Sequence, residues 1–88
     1  MSKEPGDAAP RDDARVRKHS LVIAGHRTSV SLESMFWDAL KQIAVGEGVS
    51  LAALVARVDA ERGAANLSSA LRVYVLLHAQ KQAVRHAS

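Results

Sequence analysis

The stretch of sequence that decides the fold is Thr28-Ser-Val-Ser-Leu-Glu-Ser-Met-Phe-Trp-Asp-Ala-Leu40. It passes from strict apolar/polar alternation, the period of a strand, into the apolar spacing of a helix with no turn residue between them. A strand needs a neighbour for its backbone hydrogen bonds, and a chain of 88 residues offers few. The alternating segment is therefore predicted to pair with the same segment of a second copy, which makes dimerisation part of folding.

Composition predicts one small domain that gains burial by associating with itself. Apolar residues make up 48% of the chain, yet there is only one Trp, one Tyr and one Phe, so a monomeric core is expected to be thin. The absence of cysteine excludes disulfides and thiolate metal sites and fits a cytoplasmic protein. The N-terminus lacks an apolar signal core, and the longest apolar run, 73–77, is far too short for a membrane span. Neither secretion nor membrane insertion is expected.

Basic charge is concentrated near the alternating segment. Residues 14–32 contain Arg15, Arg17, Lys18 and Arg27 and no acidic residue, within a chain of net charge +3. In a dimer, two such segments lie side by side and produce a positive field suited to phosphate, which makes Arg17 and Lys18 candidates for DNA contact. The alternative is a solvated basic segment without a ligand.

Residues 1–17 are predicted to form a disordered tail with a basic end, and residues 18–88 a folded domain. Two extended stretches, 19–23 and 27–32, flank residues 24–26, which can turn. Whether the two stretches form a hairpin bears directly on function, because a hairpin changes the width of the ribbon.

Three helices are predicted after the extended segments. The first runs over 33–45 and ends at the glycines that follow. The second starts after Ser50, a suitable N-cap, and stops at Gly63. The third begins near Asn66, whose side chain can cap the amide of Ser68 or Ser69. Over 73–77 it is apolar on all sides, which predicts burial against more than one surface. The predicted core consists of Phe36, Trp37, Leu40, Ile43, Leu54, Val55 and Leu71.

The order of strand, helix, glycine-containing turn with Ser50 and second helix resembles the ribbon-helix-helix family of transcription regulators over residues 26–60. The third helix extends the resemblance to a largely uncharacterised bacterial subgroup of that family. The motifs that carry it are His19-Ser, Ile23-Ala-Gly-His26, Thr28-Ser29, Ser31-Leu-Glu33, Phe36-Trp37 and Asn66-Leu-Ser-Ser-Ala-Leu-Arg-Val73.

The resemblance implies a mainly α fold with a short β-ribbon and an extra C-terminal helix, assembled as an intertwined homodimer. It also implies a sequence-specific transcriptional regulator. Its paired strands would enter the major groove of double-stranded DNA, and the N-terminus of its second helix would hold the phosphate backbone.

Strand alternation predicts that Arg27, Ser29 and Ser31 face outward, while the even-numbered residues between them face the helices. Arg27 can donate a bidentate pair to guanine, a contact worth about 1 to 3 kcal/mol of base selectivity, and is the main candidate for sequence reading. The serine hydroxyls discriminate less sharply, and the alternative for them is a solvated ribbon face. Val49 and Ser50 open the second helix, where free amides favour phosphate, although N-capping alone also explains Ser50.

The chain departs from the common family pattern in the extra apolar segment Leu21-Val-Ile23. If this segment folds back as a hairpin, the ribbon of a dimer grows from two strands to four, with outer strands about 14 Å apart. That distance exceeds the major groove, which is about 12 Å wide. DNA contact would then have to use another face, or none.

No catalytic or metal-binding pattern is evident, so neither an enzyme nor a cofactor is predicted. His78 and His86 lie about 12 Å apart along one predicted helix, too far to share one ion. His19 and His26 could approach across a turn, but that segment has no carboxylate nearby.

A second hypothesis keeps the ribbon-helix-helix dimer but gives it a different role. The chain would act as a protein-interaction module, an adaptor or an antitoxin-like partner, holding another protein through the third helix or the extra strand. This hypothesis predicts an exposed apolar patch and little affinity for duplex DNA.

Overall fold

The computed structural model describes residues 14–87, with side chains described through residue 84, as a β-hairpin followed by three helices. The elements are β1 (Val16–Ile23), β2 (His26–Glu33), α1 (Ser34–Glu47), α2 (Leu51–Glu61) and α3 (Leu67–Ala87). Residues 1–13 of the predicted tail lie outside the described residues, and the boundary predicted after residue 17 falls within β1. The predicted fold class, a short β-ribbon with three helices, is confirmed.

The strand that precedes α1 has a partner in its own chain, so the expectation that it needs a second copy for its ladder is wrong. β1 and β2 pair antiparallel from Val16 opposite Glu33 to Ile23 opposite His26. The turn between them consists of Ala24 and Gly25, with φ of 52° and 82°. Two positive φ values are what a type I′ hairpin turn requires, and this turn matches the natural twist of the strands.

The helix ends follow local capping rules. The Ser50 Oγ accepts a hydrogen bond from the Ala53 amide at 3.0 Å, and the Asn66 side chain accepts one from the Ser69 amide at 2.8 Å, which confirms both predicted caps. α1 passes through Gly46 and ends two residues later than predicted, at Glu47. Its C-cap is Gly48, whose φ of 72° is readily adopted by glycine.

The core lies between the inner face of the hairpin and the three helices. α2 packs against β1, whereas α1 and α3 pack against β2. His19 on β1 stacks on Trp37 of α1, with ring centroids 4.1 Å apart and planes 10° apart. The buried apolar residues are Ile23, Val30, Leu32, Leu40, Ile43, Ala44, Leu54, Val55, Val58 and Leu71.

The apolar run of α3 is buried on one side only, contrary to the prediction from its sequence. Val73, Leu76 and Leu77 are 53%, 55% and 53% exposed. The helices and the hairpin reach the side of α3 that carries Leu71 and Val75, and no other described element covers the opposite side. The single chain therefore leaves an apolar surface on α3.

A polar cluster ties the three helices together at the end of α1. Arg57 of α2 donates to Glu47 at 2.7 Å and to the Tyr74 hydroxyl of α3 at 3.0 Å. The Tyr74 hydroxyl donates in turn to the second carboxylate oxygen of Glu47 at 3.3 Å. The Arg57 guanidinium holds the pKa of Glu47 below its ordinary value. The cluster fixes α3 against the α1–α2 pair.

No single helix within the described residues is both long and apolar enough to cross a membrane. α1 and α2 reach that length and hydropathy only when they are taken together, and the chain bends by 104° at the break between them.

We expect substitution in the hairpin turn to change stability in opposite directions. Ala24→Asn should raise the free energy of unfolding by about 0.5 to 1 kcal/mol, because asparagine tolerates positive φ better than alanine. Gly25→Ala should lower it by about 1 kcal/mol. No atom lies within 4 Å of a Cβ added at Gly25, so this cost is conformational rather than steric. Urea unfolding followed by circular dichroism measures both, and a destabilised Ala24→Asn protein would contradict the turn assignment.

Candidate nucleic-acid interface

The outer face of the hairpin, the side away from the helices, is polar and basic. Strand alternation and register place four cross-strand pairs on it: Val16 with Glu33 at its end, then Lys18 with Ser31, Ser20 with Ser29, and Val22 with Arg27. The six side chains of the last three pairs are all exposed. Two cations and three hydroxyls on a two-stranded ribbon form a surface with the donors that phosphates and base edges accept.

The predicted orientation of β2 is confirmed. Arg27, Ser29 and Ser31 are exposed, whereas Val30 is 2% and Leu32 0% exposed. The roles of the three outward residues in DNA contact stay a prediction.

Arg17 and Lys18, the two other basic candidates, lie on opposite faces of β1. Lys18 lies on the outer face opposite Ser31. Arg17 lies opposite Leu32, on the side that faces the helices, although its side chain is exposed. Lys18 therefore joins Arg27 on one surface, and Arg17 does not.

A single carboxylate stands at the end of the outer face, and it is neutralised. Glu33 accepts a hydrogen bond from Arg72 Nε of α3 at 2.8 Å. This hydrogen bond is the main cause that lowers the pKa of Glu33 from its ordinary value. The Glu33 carboxylate is therefore ionised at neutral pH, and the Arg72 guanidinium compensates its negative charge.

At the N-terminus of α2, the backbone amide of Val49 is already hydrogen-bonded, whereas the Ser50 hydroxyl can still donate its proton. The Val49 amide donates to the Ala44 carbonyl at 3.0 Å, so this amide is already used in closing α1. The Ser50 hydroxyl accepts from Ala53, which leaves its own proton free to be donated. The amides of Leu51 and Ala52 belong to the first turn, where helical N–H groups lack intrahelical partners. These amides, rather than that of Val49, are the donors suited to a phosphate.

The ladder also fixes which backbone groups point to the edges of the hairpin. Ser34 N donates to Arg15 O at 3.0 Å and so continues the ladder beyond Glu33. Because hydrogen-bonded and non-hydrogen-bonded pairs alternate along an antiparallel ladder, the next pair inward, Val16 with Glu33, is non-hydrogen-bonded. It follows that odd-numbered residues of β2 and even-numbered residues of β1 direct their backbone groups outward, away from the hairpin.

Sequence reasoning missed two outer-face residues and one edge contact. Ser20 and Val22 share the outer face with Lys18, and the alternation of 18–22 already carried that signal. Ser68 of α3 donates from its Oγ to the Ser31 carbonyl at 2.8 Å. No local pattern predicts a contact across 37 residues.

The family model of the ribbon-helix-helix domain matches residues 16–79. The chain belongs to the ribbon-helix-helix domain family. Members of this family generally bind DNA as dimers, and the fold is a non-enzymatic DNA-binding one. The match begins at the first residue of β1, so the extra strand lies within the family domain.

A solved structure of the same fold is that of an uncharacterised protein from Bordetella pertussis Tohama I. It is 40% identical in sequence, with a TM-score of 0.73, over 85% of this chain. The match spans 64% of the length of that protein. Among curated proteins, none matches the chain at a significant level.

We expect the contact between α3 and β2 to weaken in acid. The pKa of Glu33 in the folded chain lies below its ordinary 4.5, so folding favours the ionised carboxylate. Its stabilising contribution is complete above the unfolded-state pKa and is lost as the pH falls through the lower, folded-state pKa. Melting temperatures measured by circular dichroism from about pH 6 to about pH 3 should therefore fall less steeply for Glu33→Gln than for the unmodified protein. An equally steep fall in both would show that Glu33 does not stabilise this contact.

Proposed function

We propose that the protein is a sequence-specific DNA-binding transcriptional regulator that acts as a homodimer and directs the outer face of its hairpin to the major groove. The observation that supports the proposal is the segregation of side chains on the hairpin. Ile23, Val30 and Leu32 are buried against the helices, and Lys18, Arg27 and the serines are exposed on the other side. A cytoplasmic location is expected for such a regulator.

Within this surface the residues have distinct roles. Arg27 donates to guanine O6 and N7, and Lys18 adds a second long donor across the strand pair. The first turn of α2, with the Ser50 hydroxyl and its free amides, holds the phosphate backbone. Phosphate contacts supply affinity and register, whereas the base contacts of the hairpin supply sequence preference.

Selection of bound duplexes from a random DNA pool tests this proposal. The unmodified protein should enrich a motif with two half-sites related by the dimer axis. Arg27→Ala should blur one position in each half-site, at a cost of about 1 to 3 kcal/mol in selectivity. Lys41→Ala is the matched control, because Lys41 is an exposed cation of α1 beside Asp38 and does not lie on the hairpin.

The control protein should enrich the unmodified motif, and its affinity measured across a salt series should keep the same slope. Loss of a phosphate contact reduces that slope by about 1. The proposal fails if the unmodified protein enriches no motif, or if Arg27→Ala and Lys41→Ala select the same motif with equal sharpness.

A second candidate function is a protein-interaction module, and the apolar surface of α3 favours it. Val73, Leu76 and Leu77 are each more than half exposed. Val73 and Leu77 line part of a groove of about 380 Å³ between α2 and α3, together with Val58 and Ala70. This function predicts that duplex affinity stays weak and unselective in the same binding series, with no difference between the Arg27→Ala protein and its control.

A further inference from the structure

Most acidic side chains of the folded domain are already paired with a cation. Four ion pairs lie within residues 14–84: Glu33 with Arg72, Asp38 with Lys41, Glu47 with Arg57, and Asp59 with Arg62. These pairs use four of the five acidic side chains that follow residue 13. None of the four involves Lys18 or Arg27. The described part of the chain therefore leaves the two cations of the outer face without a counter-charge.

These two cations stand apart along the ribbon, with hydroxyls between them. Arg27 lies opposite Val22, which is four residues along β1 from Lys18, and the Ser20–Ser29 pair lies between the two positions. At a rise of about 3.3 Å per residue, the cations are about 13 Å apart along the strand direction. Ammonium, guanidinium and hydroxyl groups all donate hydrogen bonds to carboxylates. The outer face is thus a strip that can bind several carboxylates along its length.

Residues 1–13, which lie outside the described residues, carry the opposite charge. Their acidic side chains are Glu4, Asp7, Asp12 and Asp13, and their basic ones are Lys3 and Arg11. Four of the nine acidic side chains of the chain lie in this segment, whereas ten of the twelve lysines and arginines follow it. Acidic and basic charge are therefore divided between the segment and the domain that it precedes.

The segment is attached close to the face that its charge complements. Asp13 precedes Lys18 by five residues, and Asp7 precedes Val16, the first residue of β1, by nine. Nine residues reach up to about 30 Å, and the stretch of β1 from Val16 to Val22 is about 20 Å long. Carboxylates of the segment can thus reach both Lys18 and Arg27. Covalent attachment also gives them an effective concentration in the millimolar range, so that individually weak contacts count.

We propose that residues 1–13 occupy the outer face of the hairpin in the absence of DNA, and that the phosphates of a duplex displace them. The occupant is this segment because it combines complementary charge with sufficient reach. The displacement step rests on the proposed function, since it concerns regulation of the same surface. The occupancy step does not, because it requires only the cations of the hairpin and the carboxylates of the segment.

Displacement has a defined effect on DNA binding. The segment must leave the face before any duplex binds, so it lowers the affinity for every duplex by the same factor and does not change the preferred sequence. Its carboxylates also replace part of the counterion atmosphere that the cations would otherwise exchange with DNA. Removal of acidic charge from the segment therefore strengthens binding most at low salt and makes the salt dependence steeper.

Two full-length variants that lose the same charge test the occupancy step. Glu4→Gln/Asp7→Asn removes two carboxylates that lie too far along the chain to perturb the hairpin as covalent neighbours. Asp38→Asn/Glu61→Gln is the matched control, because both residues are exposed and belong to α1 and α2. Any effect of net charge alone is then the same in both.

Amide chemical shifts of labelled protein without DNA provide the readout. At about 0.01 M salt, where the Debye length is about 30 Å, Glu4→Gln/Asp7→Asn should shift the amides of 18–22 and 27–31 relative to the unmodified protein. These differences should disappear at about 1 M salt, where the Debye length is about 3 Å. The control should shift amides on α1 and α2 instead. Unchanged hairpin amides in Glu4→Gln/Asp7→Asn, or equal hairpin shifts in both variants, would overturn the occupancy.

Binding to a duplex of random sequence tests the displacement step with the same proteins. Glu4→Gln/Asp7→Asn should bind at least about twofold more tightly than the control at low salt, and the ratio should approach one as salt rises. Equal affinities at low salt would overturn displacement. If the hairpin amides shift as expected but no protein binds duplex DNA, the proposed function and the displacement step fail, and the occupancy of the outer face by residues 1–13 stands.

Discussion

The pairing of β1 with β2 is the constraint on which the rest of the structure depends. A turn of two residues with positive φ, Ala24 and Gly25, closes the hairpin and sets its register. The register then determines two things at once. It decides which side chains face the helices and which face outward, and it decides which backbone groups remain for another partner. A shift by one residue would bury Arg27 and expose Leu32.

This pairing gives the hairpin two kinds of contact surface: side chains on its outer face, and backbone groups along its edges, in the plane of the sheet. Side chains of Lys18 and Ser20 stand on the outer face, while the backbone groups of the same residues point along the plane of the sheet. A ligand bound to the outer face and a strand added at an edge would therefore not compete for the same atoms. α3 contributes by closing the other edge through Ser68 and by binding Glu33, whose charge would otherwise oppose phosphate.

Local features of this fold could be predicted from the sequence, whereas contacts between distant segments could not. The Ser50 and Asn66 caps and the orientation of β2 follow from short-range rules, and the structure confirms them. The sequence did not decide whether the two extended stretches form a hairpin. Residues 21–23 do not identify the strand with which they pair, and Ala24 is an uncommon turn residue. The apolar run 73–77 indicated burial, but periodicity says nothing about how many neighbours a helix has. The closure of the β2 edge depends on Ser68, which no local pattern distinguishes from an ordinary serine at a helix N-terminus.

The central claim is that the outer face of the hairpin is the DNA-contact surface, and a titration of isotopically labelled protein with duplex DNA tests it most directly. Amide chemical shifts followed by nuclear magnetic resonance locate the contact residue by residue. We expect the largest changes on 18–22, on 27–31 and on the first turn of α2, with little change along α3. Changes confined to the apolar side of α3, or no changes at all, would contradict this claim.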